Sequence, residues 1–114
     1  MCTQPRMVVP FAFYQVTSKS ICDQKIFPDN TLKTFFLKEL SISLKCYSFQ
    51  CLAWSIMDDH FHMMVKSSDV SISKFMQRLN SVYAKKFNRY NKRKGHLFEQ
   101  RFSSVIVQED NGLD

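Results

Sequence analysis

The stretch Met57-Asp58-Asp59-His60-Phe61-His62-Met63-Met64-Val65-Lys66 reads as a tight polar turn running into a β-strand. Side chains alternate faces along a strand, so His60 and His62 share one side while Phe61 enters the other. The segment before it, Tyr47 to Met57, is apolar and aromatic and suits a central strand. A connection as short as Met57-Asp58-Asp59 makes the two strands a hairpin.

Working outward, Phe11 to Thr17 carries the aromatics and Val of a first strand, followed by a loop over Ser18 to Phe27. Pro28-Asp29-Asn30-Thr31 is a helix start, with an Asp, Asn or Thr available as N-cap. Leu32, Phe35, Phe36, Leu40 and Leu44 then recur at helical spacing, with Lys33 and Lys38 outward. After a polar loop from Lys66 to Val70, a long helix spans roughly Ser71 to Asn91. Its apolar stripe is Ile72, Phe75, Met76, Leu79, Val82, Tyr83, Phe87 and Tyr90. Gly95 closes that region, and Arg101 to Gln108 forms a last strand around Val105, Ile106 and Val107. The order strand, helix, strand, strand, helix, strand is the split βαβ, ferredoxin-like α+β plan: a four-stranded antiparallel sheet with two helices on one face. The other sheet face is left open to water or a partner.

The 114 residues suffice for one small domain with one core, spanning residues 1–114. Nearly half of them are hydrophobic and eleven are Phe, which excludes a disordered tail. No stretch reaches the ~18 apolar residues of a spanning helix. Met1 to Arg6 lacks the layout of a signal peptide, so a cytoplasmic location is expected. Cys2, Cys22, Cys46 and Cys51 form no Cys-x-x-Cys pair. Cys46 and Cys51, at odd separation in one expected strand, would face opposite sides, which argues for reduced thiols rather than a zinc knuckle.

The formal charge of +6 points to a polyanionic partner, with nucleic acid ahead of an anionic membrane. Lys85, Lys86, Arg89, Lys92, Arg93 and Lys94 crowd the end of the long helix and the turn after it. Such a cluster can neutralise several phosphates. Favourable interaction of cations with a helix C-terminus accounts for a few of the six charges, not for their density. Arg101, at a strand start after a Gly-containing turn, is a further phosphate contact or simply part of a helix-to-strand connection. His60 and His62 lie roughly 6.5–7 Å apart along the backbone, a spacing from which two imidazoles can converge on one metal ion. Two protein ligands fix a metal poorly, so a third is expected from elsewhere in the fold. A His-x-His strand also describes two solvent-facing imidazoles with no ligand.

Taken together, these segments resemble a known family. Ala53-Trp54-Ser55-Ile56-Met57-Asp58-Asp59-His60-Phe61-His62-Met63-Met64 resembles the HUH segment of single-tyrosine transposases of insertion sequences, in their REP-associated, IS200-like branch. Phe75-Met76-Gln77-Arg78-Leu79, Tyr83-Ala84 and Phe87-Asn88-Arg89 resemble the following helix, and Gly95-His96-Leu97-Phe98-Glu99-Gln100-Arg101-Phe102 resembles the signature after it. Tyr14-Gln15-Val16-Thr17 and Ile26-Phe27-Pro28-Asp29 match the early segments more loosely. The resemblance covers nearly the whole chain. It implies an HUH domain that binds hairpin or single-stranded DNA and cleaves and rejoins it. His60 and His62 would hold a divalent cation, magnesium or manganese. A tyrosine would attack the scissile phosphate, leaving a 5′-phosphotyrosine and a free 3′-OH. Family members are often homodimers.

Three departures stand out. Asp58-Asp59 replaces the family's usual Pro-Asn, and its carboxylates either stay solvated or adjust the metal through its ligands. Gln15 stands where the first strand usually carries a His. The family's nucleophilic tyrosine and third metal ligand lie on a helix after the last strand, whereas here Gln108 is followed only by Glu109 to Asp114. The catalytic tyrosine is therefore expected beyond Asp114. Tyr83, the substitute within the chain, sits on an apolar helix stripe, a place for core or DNA-proximal packing. The alternatives are a non-cleaving DNA-binding remnant or regulatory module of the same fold, and an RNA-binding domain. The last requires exposed aromatics on the open sheet face.

Overall fold

The computed structural model describes residues 10–99 and 102–107. Strand β1 covers Phe13–Lys19, helix α1 Asn30–Tyr47, β2 Gln50–Ile56, β3 His60–Lys66, α2 Ile72–Tyr90 and β4 Ser103–Val107. All pairings are antiparallel, in the order β2-β3-β1-β4. This is the ferredoxin-like α+β plan.

Both helices start where side chains can supply the missing partners of the first turn. Asp29 caps α1 by accepting from the Leu32 amide at 3.0 Å. Ser71 caps α2 by accepting from the Lys74 amide at 3.1 Å. Helix α1 runs to Tyr47, three residues past the last expected stripe position. Ser48 stops it in the left-handed conformation, at φ 59°. Gly95, at φ +95°, makes the turn after α2 that a side chain would strain.

β1 and β3 are the central strands, and each alternates strictly. Tyr14, Val16 and Ser18 of β1 and Phe61, Met63 and Val65 of β3 are buried beneath the helices. The apolar Tyr47–Met57 segment is not the central strand its composition suggested. Tyr47 belongs to α1, and β2 is an edge strand with Leu52 and Trp54 about half exposed. The ladder also slips between Cys51 and Ala53, a bulge of the kind that edge strands carry. β1 starts two residues later than expected. Phe11 lies outside it with a positive φ, and the strand continues through Lys19. The expected loop after it holds a short 3-10 turn at Ile21–Asp23. Cys46 lies on α1 and Cys51 on β2, so the two do not share a strand. Cys22, Cys46 and Cys51 are free thiols, and burial pushes the Cys51 thiol up. Cys2 and the ends of the expected last strand, Arg101 and Gln108, lie outside the described residues.

The core between sheet and helices is dominated by aromatics. Tyr83 sits at its centre, fully buried, with ring centroids of Phe27, Phe36, Phe87 and Phe98 within 5.3–6.3 Å. Its hydroxyl donates to the Ile26 carbonyl. From the sheet, Phe61 packs against Phe36 at 4.7 Å and Phe98 at 6.0 Å. Arg78 of α2 reaches across to α1, donating from Nε to Ser43 Oγ at 3.2 Å. Adjacent residues of β3 should therefore differ sharply in urea denaturation. Phe61→Ala should cost about 3–5 kcal/mol through lost burial and a cavity, and His62→Ala no more than about 1 kcal/mol. Equal losses would mean that the two do not face opposite sides of the sheet.

Candidate functional site

The register of β3 places His60 and His62 together on the open face. Lys19 of β1 is directly opposite His60. His62 lies between Thr17 of β1 and Ser55 of β2. The two Nε2 atoms face each other at 3.1 Å, with the rings perpendicular. Each ring is held from behind through Nδ1: His60 by Asp59 Oδ1 at 2.8 Å, and His62 by Thr17 Oγ1 at 3.1 Å. The hydrogen bond from His60 holds the Asp59 carboxyl below the usual carboxylate range.

Of the two acidic turn residues, Asp59 is thus the one engaged with the pair. Asp58 serves through its backbone: its carbonyl accepts from the Ile26 amide at 2.7 Å, and the Asp59 carbonyl accepts from the Ser20 amide at 2.9 Å. These bonds tie the turn carrying the histidines to the segment after β1. Gln15 is on the open face, exposed, opposite Met64 and Val105.

Imidazoles that bind metals commonly pass their other ring nitrogen to a carboxylate, hydroxyl or carbonyl. Two nitrogens sharing a six-coordinate ion at right angles, each ~2.1 Å from it, lie about 3 Å apart. The pair fits a divalent cation on both counts. Among the described residues, no group of three His, Cys, Asp or Glu side chains could hold a metal ion. Thr17 and Lys19 are the residues beside the pair that the sequence did not single out, whereas Asp59 belongs to the Asp58-Asp59 turn that it did. For Thr17 and Lys19 only the strand register reveals the connection, because they come from a strand some forty residues away.

Tyr83 is on the far side of the sheet from this pair. Burial pushes its phenol well above the ordinary range. Tyr14 is buried on the same helix side, and Tyr47 stacks its edge on Phe75. Tyr90, about half exposed, donates to Asp29 Oδ2 at 3.3 Å. None of the chain's four tyrosines shares the histidines' face.

The basic cluster lies at the end of α2, on the helix layer, and divides in two. Lys86 lies over the Phe35 ring at 5.2 Å. Arg93 pins the turn, donating to Asn88 Oδ1 at 2.9 Å and the His96 carbonyl at 2.8 Å. Lys85, Arg89, Lys92 and Lys94 are exposed. Lys85 and Asn88 line an open groove of about 900 Å³ between α2 and Gly95–Glu99. The groove includes His96 but neither His60 nor His62. Arg101 lies outside the described residues. No helix among the described residues is long and apolar enough to cross a membrane. The open face carries Phe13 as its only aromatic besides the histidines among the described strand residues, beneath the Lys66 ammonium at 5.5 Å. That is a poor stacking platform for RNA.

Comparison with known proteins agrees with this architecture. A REP-associated tyrosine transposase, solved bound to a REP hairpin, superposes with a TM-score of 0.74 at 13% identity, over 96% of this chain and 64% of that one. The chain thus spans about two thirds, 64%, of that relative's length. A protein of Deinococcus radiodurans R1 described as a candidate transposase superposes with a TM-score of 0.70 at 14% identity, over 95% of this chain and 88% of that one. At such identities the likeness concerns the fold alone. No curated protein matches the chain. The model of the IS200-like transposases matches residues 13–113, from the first residue of β1 past the end of β4. On that match, which takes in the strand with both histidines and every helix and strand of the sheet, the chain belongs to the IS200-like transposase family.

Proposed function

We propose that the chain is the HUH domain of a DNA transposase, binding hairpin or single-stranded DNA and holding a scissile phosphate over the open sheet face. The observation that carries this reading is the convergence of the two Nε2 atoms at 3.1 Å, each imidazole anchored through its other nitrogen. His60 and His62 would hold a magnesium or manganese ion. When bound, such an ion polarises a phosphate and stabilises charge on it. Lys19, exposed across the ladder from His60, adds a cation to the same face. The exposed Lys85, Arg89, Lys92 and Lys94, with Arg101, would carry the flanking backbone through phosphate contacts.

Transposition in this family implies attack by a tyrosine, and none of the four here faces the histidines. The 114-residue chain is read as the binding and metal-holding part of that reaction. A tyrosine from outside this sequence would complete it by in-line attack. That same observation favours a second reading, a DNA-binding module that regulates or marks repeats without cutting them.

Three outcomes test these readings. Manganese should broaden the NMR signals of His60 and His62 and the amide signals of Thr17 and Ser55 opposite them, and His60→Ala with His62→Ala should abolish the broadening at Thr17 and Ser55. Binding to labelled hairpin DNA should weaken in Lys85→Gln, Arg89→Gln, Lys94→Gln. The slope of log affinity against log salt should flatten by about 2–3, at roughly 0.7–0.9 per lost phosphate contact. An unchanged slope would reduce the cluster to a solvated surface. Finally, the chain incubated with hairpin DNA and manganese should give no covalent adduct on a denaturing gel, and Tyr83→Phe should leave that result unchanged. An adduct lost in Tyr83→Phe would overturn the assignment of Tyr83 to the core.

A further inference from the structure

The strands of the open face carry charge of one sign. Among the described residues, none of the four strands contains an Asp or Glu, and their charged side chains, histidines aside, are Lys19 and Lys66. These two stand at opposite ends of the β1–β3 ladder, Lys19 across from His60 and Lys66 across from Phe13. Between them the face turns apolar. Gln15 is flanked directly by Met64 of β3 and Val105 of β4, and Val107 lies beside Phe13. Val105 is 64% exposed, more than any other large apolar side chain among the described residues. An exposed apolar shelf rimmed by polar groups marks an interaction surface. Gln15 is the polar group in its midst, exposed and without a hydrogen-bond partner among the described residues. In apolar binding sites, a few polar groups so placed supply the specificity.

We propose that Gln15 is a specificity residue, which reads one adenine of a single DNA strand lying along the open face. This rests on the reading that a scissile phosphate is held over His60 and His62. Thr17, two residues further along β1, is directly opposite His62. Gln15 therefore lies one strand period, roughly 6.5–7 Å, from the residue that faces the pair. A base next to the phosphate reaches that far. Charge selects the occupant: a phosphate chain crossing this face meets a lysine at either end and no carboxylate on the strands between. The flat face of a base settles on Met64 and Val105, and its edge is left to be read. The Gln15 amide offers a donor and an acceptor side by side. Adenine matches it, with the N6 amine donating and N7 accepting. On the same edge guanine presents two acceptors, and cytosine and thymine one polar group each.

The probe is a labelled DNA hairpin with a single-stranded extension of thymines, made in 5′ and 3′ versions and bound to the full chain with manganese. Adenine, cytosine or guanine replaces one thymine at a time. Adenine at one position should tighten binding about tenfold over the other bases, the order expected of one bidentate contact. Gln15→Ala should bind all four alike, with its affinity for the all-thymine probe unchanged. Gln15→Arg should move the preference to guanine, whose O6 and N7 both accept. Equal binding of all four bases by the unaltered chain, a preference for another base, or an adenine preference that survives Gln15→Ala would overturn the assignment. So would a dimer of the free chain that Val105→Asp splits, which would place a second copy on the shelf. An extension that adds nothing to hairpin affinity would instead overturn the open-face reading beneath it. That is a separate failure, because it is read from the all-thymine probe alone.

Discussion

The two-residue period of β3 governs this molecule. Phe61 is drawn into the aromatic core against Phe36 and Phe98, and once it is seated His60 and His62 have no choice but the opposite face. A slip of one residue in that strand would bury two imidazoles and expose Phe61, Met63 and Val65 together. The hydrophobic term that specifies the fold therefore also aims the histidine pair. Neither imidazole needs to contribute to stability for its position to be held.

The helix layer is committed to structure in the same way. Tyr83 is fully buried among the rings of Phe27, Phe35, Phe36, Phe87 and Phe98, and its hydroxyl donates to the Ile26 carbonyl. A phenol so placed would have to leave the core, break that bond and cross the sheet to reach the histidines. Lys86 and Arg93 are likewise drawn inward, one onto the Phe35 ring and the other onto the turn it braces. What remains outward-facing is Lys85, Arg89, Lys92 and Lys94.

Much of this was legible from the residues alone. The element order, a side-chain cap for α1 within Asp29 to Thr31, the facing of the histidines and a turn at Gly95 all follow from local chemistry, whereas the Ser71 cap of α2 does not, since Ser71 reads as the first residue of that helix. The place of β2 did not. Leu52 and Trp54 look like central-strand residues because composition records how apolar a strand is, not which neighbours cover it. Nor did the partners of the histidines. Thr17 is an ordinary strand residue until the β1–β3 register sets it opposite His62. The division of the basic cluster was also hidden, since a charge count does not show which cations already have acceptors or rings.

One connected set of bonds links the two faces. The Tyr83 hydroxyl holds the Ile26 carbonyl from the core, and the Ile26 amide in turn donates to the Asp58 carbonyl at 2.7 Å. Asp58 belongs to the turn in which Asp59 steadies His60. Ser20, one residue beyond β1, grips the same turn through the Asp59 carbonyl at 2.9 Å. The carboxylate that fixes His60 thus sits on a turn braced from two directions, although a polar turn at the end of a hairpin would otherwise be among the first parts of a small domain to fray. That bracing explains how a chain with Asp58-Asp59 at this turn can hold an imidazole in one orientation. The backbone carbonyls of both residues are spent on the scaffold, and only the Asp59 side chain is turned towards the pair. Tyr83, remote from the open face, is connected to the turn beside the histidine pair through Ile26.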